Sequence, residues 1–464
     1  MSPSKSYSID RRAALGGLSA GVAGACIGSR AFGAPVGATD LTELAERIRG
    51  ASAERAFDVA ADAIRAGTRW PDLLGAIFLA GVQDIRPGPV GSKLHAVMMV
   101  ESAFQLAERE GGDAWLPVLW NLEDLKRAQA RDRREGDWRL PAAPESGLAN
   151  EAAARAAFVE AMDAWDVERA ERAIVGLCEH ADLARTSELI WPYAARCFVD
   201  IGHKIIHAVQ IVRVLHRIGW RHAQPALRAL VLALLHGADG RLTDVYERTR
   251  ERLAAFPANW LAAGGGPAET EALAHALRGT DAAGAQDVVL AAFEEGLGPE
   301  TVWGGMRLHA SELFHQRPAA ATRRHQPVHS VTEVNAFAYT FRATRSEETR
   351  RLVTLQAAGW LALLRAAMEE RFGPNRTVAA ATLDGETPRA YGERMVRLLH
   401  ERAWQDHQYK YAAALLEEYE HLEPVFAERV LAPAQSYLPS ADDALSSVHE
   451  RSLEALRRAG VRGK

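Results

Sequence analysis

The chain has 464 residues, of which 48% are hydrophobic and 25% charged, and a formal net charge of −5. That length can bury a core large enough for two domains of ordinary size. An acidic chain without a lysine or arginine block is repelled by phosphates, which excludes nucleic acid as a partner.

The N-terminus predicts an export signal of the twin-arginine type over 1-34. Arg11-Arg12 precedes a weakly hydrophobic run of alanine, glycine and leucine, and the small residues around Ala31-Phe32-Gly33-Ala34 suit cleavage. The run is too short and too rich in glycine to give a stable membrane span. Cleavage removes Lys5, Arg11, Arg12 and Arg30 against Asp10, leaving a charge of about −8. The expected location is periplasmic or secreted, with the twin-arginine translocase as partner during export. That route carries folded proteins, frequently with a cofactor inserted beforehand, which raises the expectation of a bound metal. Only Cys178 and Cys197 remain after cleavage. Two cysteines exclude a disulfide scaffold and any cysteine-rich zinc or iron-sulfur site, and leave open whether they are bridged.

Beyond the leader, apolar residues recur at three- and four-residue spacing and alternating strand patterns are almost absent, so the fold is expected to be all-α. Pro117 to Leu125 and Gly359 to Met368 read as buried helices carrying tryptophans, and Pro225 to Leu235 as an apolar helix of about three turns. Breaks fall at Arg86-Pro87-Gly88-Pro89, Pro141 to Gly147, Ala263 to Pro267 and Gly373-Pro374-Asn375.

The chain also reads as one helical unit written twice. A shift of 229 positions lays Leu44, Ala45, Arg49, Gly50, Asp58, Val59 and Gly67 on Leu273, Ala274, Arg278, Gly279, Asp287, Val288 and Gly296. With small loop differences His95 falls on His329, and Asp200 to Lys204 on Asp406 to Lys410. Periodic apolar residues match under many offsets, but glycines, aspartates, an arginine and a lysine do not, and the copy is far longer than a solenoid repeat. The expectation is two pseudo-symmetric helical lobes from an internal duplication, 35-262 and 268-464, divided at Gly264, Gly265 and Gly266.

In chain order the first candidate for chemistry is His95, in the apolar helix Leu94 to Val100, where a lone histidine is usually a hydrogen-bonded core residue. The sharpest local signal is His203-Lys204-Ile205-Ile206-His207. Two histidines four apart stand one above the other on a helix face and can reach one ion or substrate. Asp200 and Gln210 extend that face, and Asp200 can orient a ring by accepting its second proton. His329 heads a further helix with polar groups on one face, His329 to Asn335, after the polar loop Arg323-Arg324-His325-Gln326. His407 and Lys410 follow Asp406. Lys204 and Lys410 can serve as general acids or anion-holding charges, or simply pair with Asp200 and Asp406. Two Glu-x-x-His elements, Glu312 to His315 and Glu418 to His421, have the spacing of di-iron helix bundles, although the second lies in an acidic stretch that reads as solvated surface. There is no Gly-x-Ser-x-Gly elbow, phosphate loop, dinucleotide glycine fingerprint or His-Glu-x-x-His, so no nucleotide cofactor is expected.

Gly202-His203-Lys204-Ile205-Ile206-His207 and Val328-His329-Ser330-Val331-Thr332 resemble the histidine-bearing helices of questin oxidase-like proteins. That family includes fungal oxygenases that perform Baeyer–Villiger ring cleavage on anthraquinones. The resemblance covers these short segments and touches His203, His207 and His329. It implies an all-α oxidative enzyme.

The expected protein is therefore an exported all-α enzyme with a histidine-rich pocket between two lobes. His95, His203, His207 and His329 bind a single transition metal (iron, zinc or copper), and Asp200, Lys204, His407 and Lys410 supply proton transfer and charge to a small-molecule substrate. Oxygenase-type oxidation leads and metal-dependent hydrolysis follows. The rival reading is a non-catalytic periplasmic binding or scaffold protein, whose histidines would lie in separate environments.

Overall fold

The computed structural model describes residues 40–109, 114–237, 244–321 and 324–461, so the expected leader lies outside the described residues. All described regular structure is helical. The first half of the chain forms α1 (Leu41–Gly50), α2 (Ala56–Arg65), α3 (Trp70–Asp84), α4 (His95–Arg109), α5 (Trp115–Glu135), α6 (Glu151–Asp163), α7 (Val167–His180), α8 (Leu183–Ala194), α9 (His203–Ile218) and α10 (Ala223–Leu234). The second forms α11 (Asp244–Arg252), α12 (Pro267–Leu277), α13 (Ala282–Glu294), α14 (Pro299–His315), α15 (His329–Ala343), α16 (Glu347–Phe372), α17 (Pro388–Arg402), α18 (Asp406–Glu420), α19 (Ala427–Leu431) and α20 (Ser447–Arg458). The tryptophan helices expected from sequence lie in α5 and α16, where Trp120 and Trp360 are fully buried. None of the described helices is long and apolar enough to cross a membrane.

Local chemistry sets many of the boundaries. Asp40, Asn150, Asp166, Asp182, Asp281, Ser346 and Thr387 each accept a first-turn backbone N–H with the side chain, satisfying donors that a helix start leaves orphaned. Cys178 and Cys197 are not joined in a disulfide.

From Asp40 onward the chain forms one compact unit. The boundary expected at the triple glycine is therefore not a seam between separately packed bodies. Gly264 is held against the start of α14, its carbonyl accepting from Gly298 N at 2.9 Å and Thr301 Oγ1 at 2.8 Å. Two helix pairings recur in the two halves. α1 packs on α3 as α12 packs on α14, and α4 packs on α5 as α15 packs on α16.

At the centre, α4, α9, α15 and α18 pack in a ring, each against two of the others. Four contacts fix their direction. His203 and His329, the first residues of α9 and α15, touch, and ten residues further along each helix the Arg213 guanidinium lies 4.0 Å over the Tyr339 ring. Arg213 also forms a two-pronged ion pair with Glu417, eleven residues into α18, at 2.7 and 2.8 Å. Arg217 of α9 pairs with Glu101 of α4 at 2.7 Å. The four helices thus run in parallel from one point, and the first turn of each carries a histidine. The outer helices return the chain to that point each time.

Candidate metal centre

The site is built from the first residues of those four helices. His95, His203, His329 and His407 are all buried. The Nε2 atom of His203 lies 2.8 Å from Nε2 of His95 and 2.9 Å from Nε2 of His329. The His407 ring meets His95 edge-on with centroids 4.3 Å apart, and lies 5.8 Å from the His329 ring. His95, His203 and His407 can each bring a ring nitrogen within 4.8 Å of the other two, a buried group that could hold a metal ion.

The other ring nitrogen of each histidine is fixed. His203 Nδ1 donates to the Asp200 carbonyl, and His329 Nδ1 donates to the Gln326 carbonyl at 3.0 Å, each reaching three residues back from the start of its helix. His407 Nδ1 donates to Asp406 Oδ1 at 3.1 Å. His95 Nδ1 lies 2.8 Å from Asp406 Oδ2, a close polar contact without full hydrogen-bond alignment, but one that still requires the proton on that nitrogen. Every Nδ1 therefore carries hydrogen, and every Nε2 presents a lone pair. Lone pairs facing one another at 2.8 and 2.9 Å repel unless a proton or a cation stands between them. Burial opposes the proton, since desolvation, helped by the Lys410 charge and by the neighbouring rings, drives the pKa of His95, His203 and His329 well below the usual histidine value. His407 is held at about 4, again mainly by burial.

A metal ion fits this donor set. Two nitrogens bound at about 2.0–2.1 Å stand roughly 2.9 Å apart at a right angle and roughly 3.4 Å apart at the tetrahedral angle. Adjustment of a few tenths of an ångström accommodates either. Asp406 and the two carbonyls supply the outer contacts that metal-bound imidazoles ordinarily have.

The backbone is strained where it presents His203. Asp200, Ile201 and Gly202 take φ of 62°, 47° and 79° in succession, a conformation unfavourable for a β-branched residue such as Ile201. This left-handed turn places the Asp200 carbonyl under the His203 ring. The opposite side is closed by Gly91, at φ 120°, where a Cβ would come within 3.3 Å of the ring.

The electrostatics centre on Asp406. Burial works to raise its pKa, but the His407 and His95 N–H groups and the Lys410 ammonium reverse that and keep it ionised, well below the usual range. Lys410 Nζ stands 3.6 Å from Asp406 Oδ2, and burial brings its pKa down to about 8. Asp124 on α5 is pushed well up by burial and by repulsion from Asp406, and its Oδ2 has no partner. A half-buried His325 stacks on His407 at 4.3 Å, with the exposed Trp404 ring 6.3 Å beyond it. Trp404 borders an open groove of about 370 Å³ at the head of α18, lined also by Arg127, Arg402 and Leu445.

The residues expected from sequence separate into two groups. His95, His203, His329, His407 and Lys410 come together. His207 does not join them: it is buried, and neither ring nitrogen has a partner. One turn along α9 carries it away from the point where the helix heads meet. Lys204 is not at the cluster either. It donates to the Leu234 and His236 carbonyls at 2.9 and 3.0 Å and so closes the C-terminal end of α10. Asp200 does orient a ring, but with its backbone carbonyl, while its carboxylate accepts from Val90 N at 3.1 Å. The Asp-to-Lys spacing that repeats in sequence has two meanings, because Asp406 and Lys410 share a helical turn whereas Asp200 precedes α9. The Glu-x-x-His elements hold ion pairs. Glu312 pairs with Arg278 and Arg429, and Glu418, which is buried and not solvated, pairs with Arg307 at 2.5 Å. Sequence reasoning passed over Asp124 and gave His325 no role. Asp124 is one carboxylate inside an apolar, tryptophan-bearing segment, a signal that composition does not separate from a solvated edge.

Because His207 is neutral and buried, with a pKa lowered to about 3 by desolvation alone, it makes a testable contribution to acid stability. The folded value lies below the unfolded value of about 6.5, so this contribution is complete above that pH and is lost as pH falls from there toward 3. His207→Leu is expected to remove up to ~1.4 kcal/mol per pH unit from the slope of stability over that window. Denaturation midpoints measured from pH 7 to 4 check this; equal slopes in the two proteins would refute it.

Comparison with protein-family models, characterised proteins and solved structures finds no match to this chain.

Proposed function

We propose that the four helix heads form a mononuclear metal centre in an exported enzyme, an oxygenase-type oxidoreductase acting on a small anionic organic substrate. The observation that carries this reading is the meeting of Nε2 lone pairs from His95, His203 and His329 while every Nδ1 is occupied. His95, His203 and His407 would hold the ion, with His329 against His203 as a further nitrogen. An iron or copper ion there supplies binding and reduction of dioxygen, whereas zinc supplies activation of water. Oxidation takes precedence because of the resemblance to questin oxidase-like proteins; hydrolysis is the second reading, favoured by the neutral three-nitrogen donor set.

The chain's own groups define what the site prefers. Four helix N-termini meet there, and each favours a nearby negative charge by about 0.3–1 kcal/mol, more when partly buried. Lys410 adds a positive charge, and Asp406 is already engaged by two rings and that lysine. A carboxylate, enolate or phenolate is therefore favoured over a cationic ligand. Lys410, brought to about 8, can hold or give up a proton near neutral pH. In this reading the substrate would enter past the half-buried His325 beside Trp404. The twin-arginine leader belongs to the same reading, since a folded, loaded protein is what that route carries.

Metal analysis of the purified protein, by inductively coupled plasma mass spectrometry, tests the reading. About one equivalent of iron, copper or zinc per chain is expected. Less than a tenth of an equivalent, both as purified and after incubation with each metal and removal of the excess, would eliminate it.

A further inference from the structure

One helical turn beyond the metal histidines lie four buried polar atoms without a partner: both carboxyl oxygens of Glu333 and both ring nitrogens of His207. Each of these residues is 1% exposed. The register of α9 and α15 fixes their position. The two helices touch at His203 and His329 and again at Arg213 and Tyr339, ten residues along each. His207 and Glu333, both four residues in, therefore occupy the next turn of the same two helices.

A helical side chain leans toward the N-terminus of its helix. The Glu333 carboxyl leans toward the metal histidines in this way, and its Oε1 occupies the space that a side chain at Gly202 would need, 2.3 Å from the ideal Cβ position. Gly202 has φ 79° and immediately precedes His203. The carboxyl is thus lodged between the turn that presents His203 and the helix that presents His329. A buried polar group left unpaired is costly, which argues that this carboxyl has a use. Burial also pushes the Glu333 carboxyl well above the ordinary glutamate range, the state of a group poised to carry a proton.

We propose that Glu333 is the proton-holding group of the metal centre, accepting a proton from an acidic O–H, of water or of substrate, lodged against the histidines, and returning it later. In that step the donor O–H bond breaks, a carboxyl O–H forms on Glu333, and the electron pair stays on the donor oxygen. No electrons change hands, and no co-reactant is needed. The proposal rests on the metal reading above.

The test uses the whole protein loaded with Co(II), whose visible absorption reports the ligand field. Cobalt stoichiometry is measured first, and the spectrum is then titrated from pH 5 to 10. In the wild-type protein the donor O–H and Glu333 are two coupled sites, expected to give a change in two steps. In Glu333→Gln the change is expected to collapse to one step at unchanged cobalt content, and Glu333→Asp should restore two steps with displaced midpoints. Matching titrations in wild type and Glu333→Gln would overturn this proposal alone. Loss of cobalt from Glu333→Gln also overturns it, by making the residue a ligand or a structural support. A wild-type protein that takes up no cobalt overturns the metal reading and this proposal with it.

Discussion

Replacing His203 by alanine is expected to lower metal affinity by at least 100-fold while leaving the far-ultraviolet circular dichroism of the helices within a few per cent of wild type. Structural zinc bound by about four ligands is worth roughly 10–16 kcal/mol, so one ligand carries about 3 kcal/mol, or roughly two powers of ten. His203 is the most damaging choice because its Nε2 is the atom that both His95 and His329 approach. Its removal takes away the one nitrogen that lies within 3 Å of both their Nε2 atoms. Metal titration monitored by calorimetry, with circular dichroism on the same samples, checks the result. Unaltered affinity would mean that the cluster is a packing motif and not a binding site.

The second large effect concerns stability. Glu418→Ala is expected to cost about 3–5 kcal/mol, because removing one partner of a buried ion pair leaves the other charge uncompensated. Glu418 is 2% exposed and Arg307 5% exposed, with N–O contact at 2.5 Å, and Asn335 donates to the other carboxylate oxygen at 2.8 Å. The three residues tie α14, α15 and α18 together midway along the central ring. Urea unfolding of Glu418→Ala beside a double variant, Arg307→Met with Glu418→Leu, separates the pair's net contribution from the penalty of an orphaned charge. The double variant is expected to recover most of the loss, since an apolar pair of similar volume is often as stable as the buried ions. A single variant as stable as wild type would contradict this account.

The all-α architecture was legible because three- and four-residue periodicity is strong and local. The Trp120 and Trp360 helices and the breaks at Pro141 and Gly373 lie where sequence puts them. His95 and His329, aligned in sequence, occupy like places, each the first residue of a fifteen-residue helix preceded by a short 3-10 turn. His203 and His207 show the limit of spacing. Four residues place two side chains on one face, but a site formed where helices begin uses only the first turn, and the second ring lies beyond it. Lys204 was misleading for the same reason, since its long stem carries the ammonium to the end of a neighbouring helix. The Glu333 position was readable as four residues after His329. What could not be read was that Gly202 leaves room for its carboxyl, because that depends on backbone angles and on a contact between distant segments.

The way the four central helices originate at a single point has a consequence for biogenesis. His95, His203, His329 and His407 are supplied by segments spread along most of the chain, so no early fragment contains the complete set of candidate ligands. A ribosome-bound intermediate ending before Asp406 would present His95 without the carboxylate that sets its tautomer. On the proposed metal reading, uptake of the ion would follow synthesis of nearly the entire polypeptide, and slow long-range docking, more than helix formation, would govern when the centre matures.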